Sequence, residues 1–296
     1  MLAITREPAM GLPQAPAPAT CPSIRIEEAL KNGWFEDWYQ PKIDLKRKCL
    51  AGAEALPCIR HPSLGLLMPG EYDCGPGPDS LSRLNEEALL AMLESWSLFE
   101  ASGFNLSLAM KVAVRVLLEL PIGELVAKHR PESDRWPGII LQVNEEDIVR
   151  DVKLARDVTT GLRAGGIKIA IDDFGAGYSS LASLRELPFV EIKLDRSFVQ
   201  NCASDATNGA ICQTAIDLAH RFSSAAAAKG VEGQADLVAL MAMGCDFGQG
   251  DLIAPPMSRE HFLELLRQRV SKPRPQPQET PAPAAPGSLG TVDRVA

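Results

Sequence analysis

The chain has 296 residues, 46% of them hydrophobic, with 30 Lys and Arg against 38 Asp and Glu for a net charge of −8. An acidic balance lacks the basic footprint of nonspecific nucleic-acid binding, which removes nucleic acid as a partner class. No apolar run reaches the roughly 18 residues of a membrane span and no signal-peptide pattern opens the chain, so the expectation is a cytoplasmic protein without a membrane partner.

In chain order, residues 1–23, containing GLPQAPAPAT, predict a disordered Pro/Ala-rich tail, because that composition buries too little surface to offset the entropy of ordering. Strand-like apolar runs follow near residues 38–43, 49–54, 104–106, 138–143, 167–172, 190–194, 225–228 and 244–247. Amphipathic helical spacing fits residues 82–100, 147–164, 208–221, 234–243 and 258–269. Residues 271–296, containing SKPRPQPQETPAPAAPG, predict a second disordered tail. One domain over residues 24–270 remains, close to the roughly 250 residues of an α/β barrel. Alternating strands and helices imply a largely parallel sheet wrapped by helices. The first two strands lie too close for a crossover helix and should form a hairpin. Residues 70–80, GEYDCGPGPDS, read as a loop near the barrel mouth, since the Gly-Pro-Gly-Pro run opposes a helix.

Seven cysteines without CxxC pairing read as reduced thiols, and four dispersed histidines offer no shared metal. The chemistry concentrates elsewhere. IKIAIDDF, residues 167–174, is an apolar strand ending in Asp172 and Asp173, followed by the glycine-rich GAGYSSL. Adjacent carboxylates at a strand end repel one another unless cations join them, as a two-metal phosphodiester site arranges. A strand end capped by an Asp-Asp turn is the plainer reading.

AGAEAL at Glu54, FNLS at Asn105, DDFGAGYSSL, VEIKLDRSFV at Lys193, KGVE and DFGQGDL occur in this order, and together resemble the EAL domain family of bacterial cyclic di-GMP phosphodiesterases. The resemblance covers residues 24–269 and implies a TIM-like (β/α)8 barrel with an antiparallel first strand. It implies Mg²⁺ or Mn²⁺ at the strand ends, with Glu54, Asn105 and Asp172 as ligands of one ion and Asp172 and Asp173 bridging towards a second. Lys193, Glu54 and Asp172 would be the catalytic groups of an active member. Gln40, Glu54, Asp173, Lys193 and Gln249 would contact substrate and Arg60 could add a positive group for it, while Glu145 steadies the loop over residues 174–180 and Glu232 supports the site.

Three positions depart from the family pattern. Gln142 stands for a glutamate, Lys229 for a second glutamate, and Cys58 for a phosphate-contacting arginine. A complete site would carry about −4 against two divalent ions, whereas Glu54, Asp172 and Asp173 against Lys193 and Lys229 give −1. Lys229 could therefore pair with Asp173 where an ion would stand. The expectation is a degenerate, inactive domain without cofactor, acting as a cyclic di-GMP receptor or as a docking module for an unidentified protein partner. The alternative is an active Mg²⁺- or Mn²⁺-dependent phosphodiesterase producing pGpG. Oligomeric state stays open, with a homodimer among the options.

Overall fold

The computed structural model describes residues 24–72, 78–150, 156, 161–162, 165–175, 184–185 and 187–271. Both expected tails, the centre of the Gly-Pro-Gly-Pro segment, residues 176–180 of the Gly-rich loop and most of the expected helix beyond residue 150 lie outside them.

Eight strands close a barrel. β1 (Phe35–Asp44) and β2 (Cys49–His61) form the expected hairpin. Parallel pairing then runs from β2 through β4 (Ser107–Lys111), β5 (Ile139–Asn144), β6 (Ile167–Phe174), β7 (Phe189–Leu194) and β8 (Ala225–Ala228) to β9 (Phe247–Gly248). β9 pairs antiparallel with β1, which closes the ring and leaves β1 as its antiparallel strand. β3 (Gly65–Leu67) and β10 (Met257–Ser258) extend the sheet outside it.

β5 and β7 are buried almost throughout, as strands covered on both faces require. Outside them, α1 (Ile26–Lys31) and α2 (Pro78–Ala101) precede β4, and α3 (Val114–Glu119) and α4 (Ile122–His129) follow it. α5 (Glu145–Arg150) follows β5, α6 (Arg196–Val199) and α7 (Ala206–Arg221) follow β7, α8 (Gln234–Ala242) follows β8, and α9 (Arg259–Ser271) ends the described chain. On α2, Leu89, Met92, Leu93, Trp96 and Phe99 recur at helical spacing and are all buried against the barrel. Tyr39, Phe99 and Phe262 pack ring to ring at 5.0–5.7 Å, joining β1, α2 and α9. Among the described residues no helix is long and apolar enough to cross a membrane.

Several boundaries differ from expectation. β2 runs on to His61 instead of ending near Glu54, because β4 pairs only as far as Ala55 and Pro57 sits on a ribbon beyond the barrel. α2 begins at Pro78, inside the stretch expected as loop, with proline at the helix start where its missing N–H costs nothing. β4 begins at Ser107, not at residue 104. Phe104 N donates to Phe99 O at 3.1 Å and Trp96 Nε1 donates to Leu106 O at 3.1 Å, which holds residues 104–106 in the turn leaving α2.

The barrel interior is partly polar. Ala109, Ile140 and Ala170 fill it from three adjacent strands. Lys42 and Glu191 form a buried ion pair at 2.7 Å, with Lys42 lying 5.0 Å over the Phe247 ring.

Candidate functional site

Parallel strands end together at one rim, and each strand's last inward-facing position meets its neighbours there. Glu54 on β2, Gln142 on β5, Lys193 on β7 and Gln249 just after β9 form an inner group. All four are buried, Lys193 completely. The Lys193 ammonium donates to Glu54 Oε2, and Gln249 Nε2 donates to the same oxygen at 2.7 Å. The Gln142 amide, oriented to satisfy both neighbours, donates to Glu54 Oε1 at 3.1 Å and accepts from Lys193 at 3.2 Å. Burial pushes the Glu54 carboxyl upward, but Lys193 and Gln249 outweigh it and hold the carboxyl below its ordinary range. Burial likewise opposes the Lys193 charge, yet Glu54 and Asp172 keep its pKa above the ordinary value. Gln249 Nε2 also donates to Gln40 Oε1 at 2.9 Å, which brings Gln40 to the rim.

An outer group sits above it. Asp172 is fully buried at the end of β6, and Asp173 follows with φ of 55°, in the left-handed region that few side-chain-bearing residues adopt. Lys229, one residue past β8, places its ammonium 2.7 Å from Asp173 Oδ1 and 3.7 Å from Asp172 Oδ2. Lys111, the last residue of β4, reaches Asp173 Oδ2 at 2.5 Å and Asp172 Oδ2 at 2.9 Å. Asn144 Nδ2 donates to Asp173 Oδ2 at 3.1 Å. Two lysines from opposite sides thus clamp the paired aspartates. Burial raises the Asp173 pKa and the two ammoniums lower it, with a net result of about 2.

The other expected site residues are placed less uniformly. Asn105 does not reach the group. It is exposed ahead of β4, at the opposite end of the strand, and donates to Arg135 O at 2.8 Å. Lys111 holds the position at the β4 rim, and the motif reading missed it. Arg60 is paired with Glu36, its Nη2 donating to Glu36 Oε2 at 2.9 Å. Cys58 is buried against Met68, and burial pushes its thiol up to about 12, so the group is neutral. Glu145 accepts from Gly175 N at 2.9 Å, at the start of the loop after β6. Glu232 pairs with Arg196 at 2.6 Å, bridging the segments after β8 and β7.

With Lys111 included, Glu54, Asp172 and Asp173 face Lys111, Lys193 and Lys229, so the cluster is neutral and the sequence estimate of −1 is corrected. Two divalent ions do not fit it. Hard cations need several anionic oxygens, and among the described residues no group of three or more His, Cys, Asp and Glu is set to hold a metal. Each ammonium about 4 Å from an added ion costs on the order of 4 kcal/mol per unit of charge at an effective dielectric of ~20. Neither Asp172 oxygen has a hydrogen-bond partner among the described residues, and Oδ2 meets Lys111 and Lys229 as ion pairs, but these two oxygens cannot offset that repulsion.

The clamp has a pH signature. A carboxylate whose pKa falls from 3.8 to about 2 on folding adds stability above pH 3.8 that is lost as pH falls through 2. Allowing for screening of a partly exposed group, the contribution is about 1–2 kcal/mol. Asparagine also tolerates the left-handed conformation, so Asp173→Asn isolates the charge. The variant should lose that amount in urea unfolding at pH 7, and progressively less between about pH 4 and pH 2. A wild-type-to-variant gap that does not change with pH would show that these ion pairs contribute nothing to folding.

The EAL domain family matches residues 24–256. The chain is 33% identical over 269 residues to the cyclic di-GMP phosphodiesterase RocR of Pseudomonas aeruginosa, covering 86% of this chain and 65% of RocR. It is 31% identical over 254 residues to MucR of the same organism, a bifunctional diguanylate cyclase/cyclic di-GMP phosphodiesterase, covering 80% of this chain and 35% of MucR. The chain therefore spans just under two thirds of RocR and about a third of MucR. Among solved structures, the EAL enzyme Bd1971 in its cGMP-bound form superposes with a TM-score of 0.73 at 28% identity, covering 81% of this chain and 68% of that one. The MucR phosphodiesterase in complex with cyclic di-GMP superposes with a TM-score of 0.65 at 29% identity, covering 80% of this chain and 97% of that one. A closed barrel with one antiparallel strand, carboxylates and a lysine gathered at its rim, and a family match across most of its length lead to one assignment: the chain belongs to the EAL domain family, which occurs in cyclic di-GMP signalling proteins.

Proposed function

We propose that this EAL domain does not hydrolyse cyclic di-GMP and serves cyclic di-GMP signalling in the cytoplasm as a metal-independent receptor or protein-interaction module. The observation that carries this reading is the clamp of Lys111 and Lys229 on Asp172 and Asp173. Hydrolysis of a phosphodiester needs an activated water and positive charge on the developing phosphorane. The groups that would supply them at Glu54, Lys193 and position 58 are committed to one another or replaced. Glu54 already accepts from Lys193, Gln249 and Gln142, which takes three of the roughly four acceptor sites of its carboxylate. Lys193 is committed to Glu54 and completely buried. The arginine contact to phosphate is absent at Cys58, and Arg60 is held by Glu36. What the rim still offers a ligand are the partly exposed faces of Lys111 and Lys229 with the half-buried amide of Gln40.

The test is product formation. Incubation of the purified chain with cyclic di-GMP and Mg²⁺ or Mn²⁺ should yield no pGpG above a protein-free control. Metal-dependent pGpG production that Glu54→Ala abolishes would overturn the reading in favour of an active phosphodiesterase. Calorimetry with cyclic di-GMP in the presence of a chelator then separates a nucleotide receptor from a module that only docks protein.

A further inference from the structure

We propose that Lys111 and Lys229 are resident counter-ions at a latent divalent-cation site, holding together by ion pairs a strand rim that would otherwise depend on metal. The inference rests on the non-hydrolytic reading above and adds a structural role that the reading does not require.

The rim of this barrel carries three carboxylates from two strands, Glu54 within β2 and Asp172 with Asp173 near the end of β6. Two of them are adjacent in sequence, and Asp173 keeps a left-handed backbone. A residue in that region persists where its surroundings restrain it. Here the restraint comes from three elements: Lys111 at the end of β4, Asn144 at the end of β5 and Lys229 just past β8, at 2.5, 3.1 and 2.7 Å from the Asp173 carboxylate. Lys111 is the stronger of the two cations, since its ammonium lies within 3 Å of both aspartates, while Lys229 lies 3.7 Å from Asp172. One point charge bridging two carboxylates occupies the place where a bridging cation would bind, and the lysines make the rim neutral without one.

If the lysines are counter-ions, removing them should create a need for metal. Lys111→Asn with Lys229→Glu and Gln142→Glu changes the cluster from neutral to about −4, the charge that oxygen-ligated divalent ions offset. The measurement is the melting temperature of the full chain with EDTA and with millimolar Mn²⁺. Wild type should melt at the same temperature in both. The triple variant should melt lower than wild type in EDTA and recover by about 5 °C or more in Mn²⁺, as binding to the folded state alone requires. Lys111→Met, which removes the charge and supplies no ligand, should melt lower in both conditions. The double variant Lys111→Asn/Lys229→Gln keeps the test readable if the triple variant fails to fold without metal, and should also be stabilised by Mn²⁺.

A variant melting temperature indifferent to Mn²⁺ would overturn the inference, as would equal stabilisation of wild type. That failure is distinguishable from failure of the functional reading, which shows instead as pGpG made by the wild-type chain.

Discussion

Lys193→Met should lower the free energy of unfolding by about 3–5 kcal/mol, the largest effect expected of a side-chain change at this site. Lys193 is completely buried and is the counter-charge of Glu54, which is itself buried beneath the rim. Methionine matches the length of the aliphatic stem but leaves a carboxylate in a low-dielectric interior with only the neutral amides of Gln142 and Gln249 to solvate it. The cost is therefore that of an unpaired buried charge and not the worth of the pair. A second variant separates these quantities. Lys193→Met/Glu54→Leu removes both charges, and should regain most of the lost stability, because well-packed apolar groups replace buried ion pairs at little net cost. Urea unfolding of the two variants checks this. A double variant as unstable as the single would mean that packing around Lys193, and not charge, governs the loss.

Gly250→Ala should be nearly as damaging, at about 3 kcal/mol or more. Gly250 has φ of 155° and follows Gln249, whose amide covers Glu54. A Cβ there would lie 2.2 Å from Val231 N and 2.4 Å from Val231 O, both backbone atoms that cannot swing aside. That close approach seats two hydrogen bonds, Val231 N to Gln249 O at 3.0 Å and Leu252 N to Val231 O at 3.1 Å. Pushing the backbones apart would break the seam between the segments after β8 and β9 and withdraw Gln249 from Glu54. Thermal unfolding measures the loss, and a variant within 1 kcal/mol of wild type would show that the seam relaxes freely.

Much of the barrel was legible because its strands are short, apolar and separated by helical spacing. β5 to β8 fall within a residue or two of their sequence-derived positions. The paired aspartates, Lys193 and Gln249 were legible because each lies at or just past the end of such a run, whereas Glu54 was legible from its motif, since β2 continues past it to His61.

Asn105 and Lys111 show where the reading ends. The run FNLSLAMK admits a strand starting at Phe104 or one starting at Ser107. The choice is made by contacts from Trp96 and Phe99 on α2, which no local pattern reveals. The starting point moves the rim residue from the Asn105 region to Lys111. A signal was available in the likeness of SLAMK to VEIKL, each a strand-like run with a lysine at or next to its last position. The clamp itself joins residues 62 and 56 positions apart, and pairing at that range is a property of the closed barrel. Charge arithmetic from motifs gave −1, one lysine away from the neutral cluster the fold assembles.

A crystal structure grown in Mn²⁺, with anomalous scattering collected at the manganese edge, would show whether lysines or metal ions neutralise the paired aspartates. No anomalous peak is expected within coordination distance of Asp172 or Asp173, and the ammonium groups of Lys111 and Lys229 should lie on the two carboxylates. A strong peak between Glu54 and Asp172, with either lysine swung into solvent, would contradict that expectation.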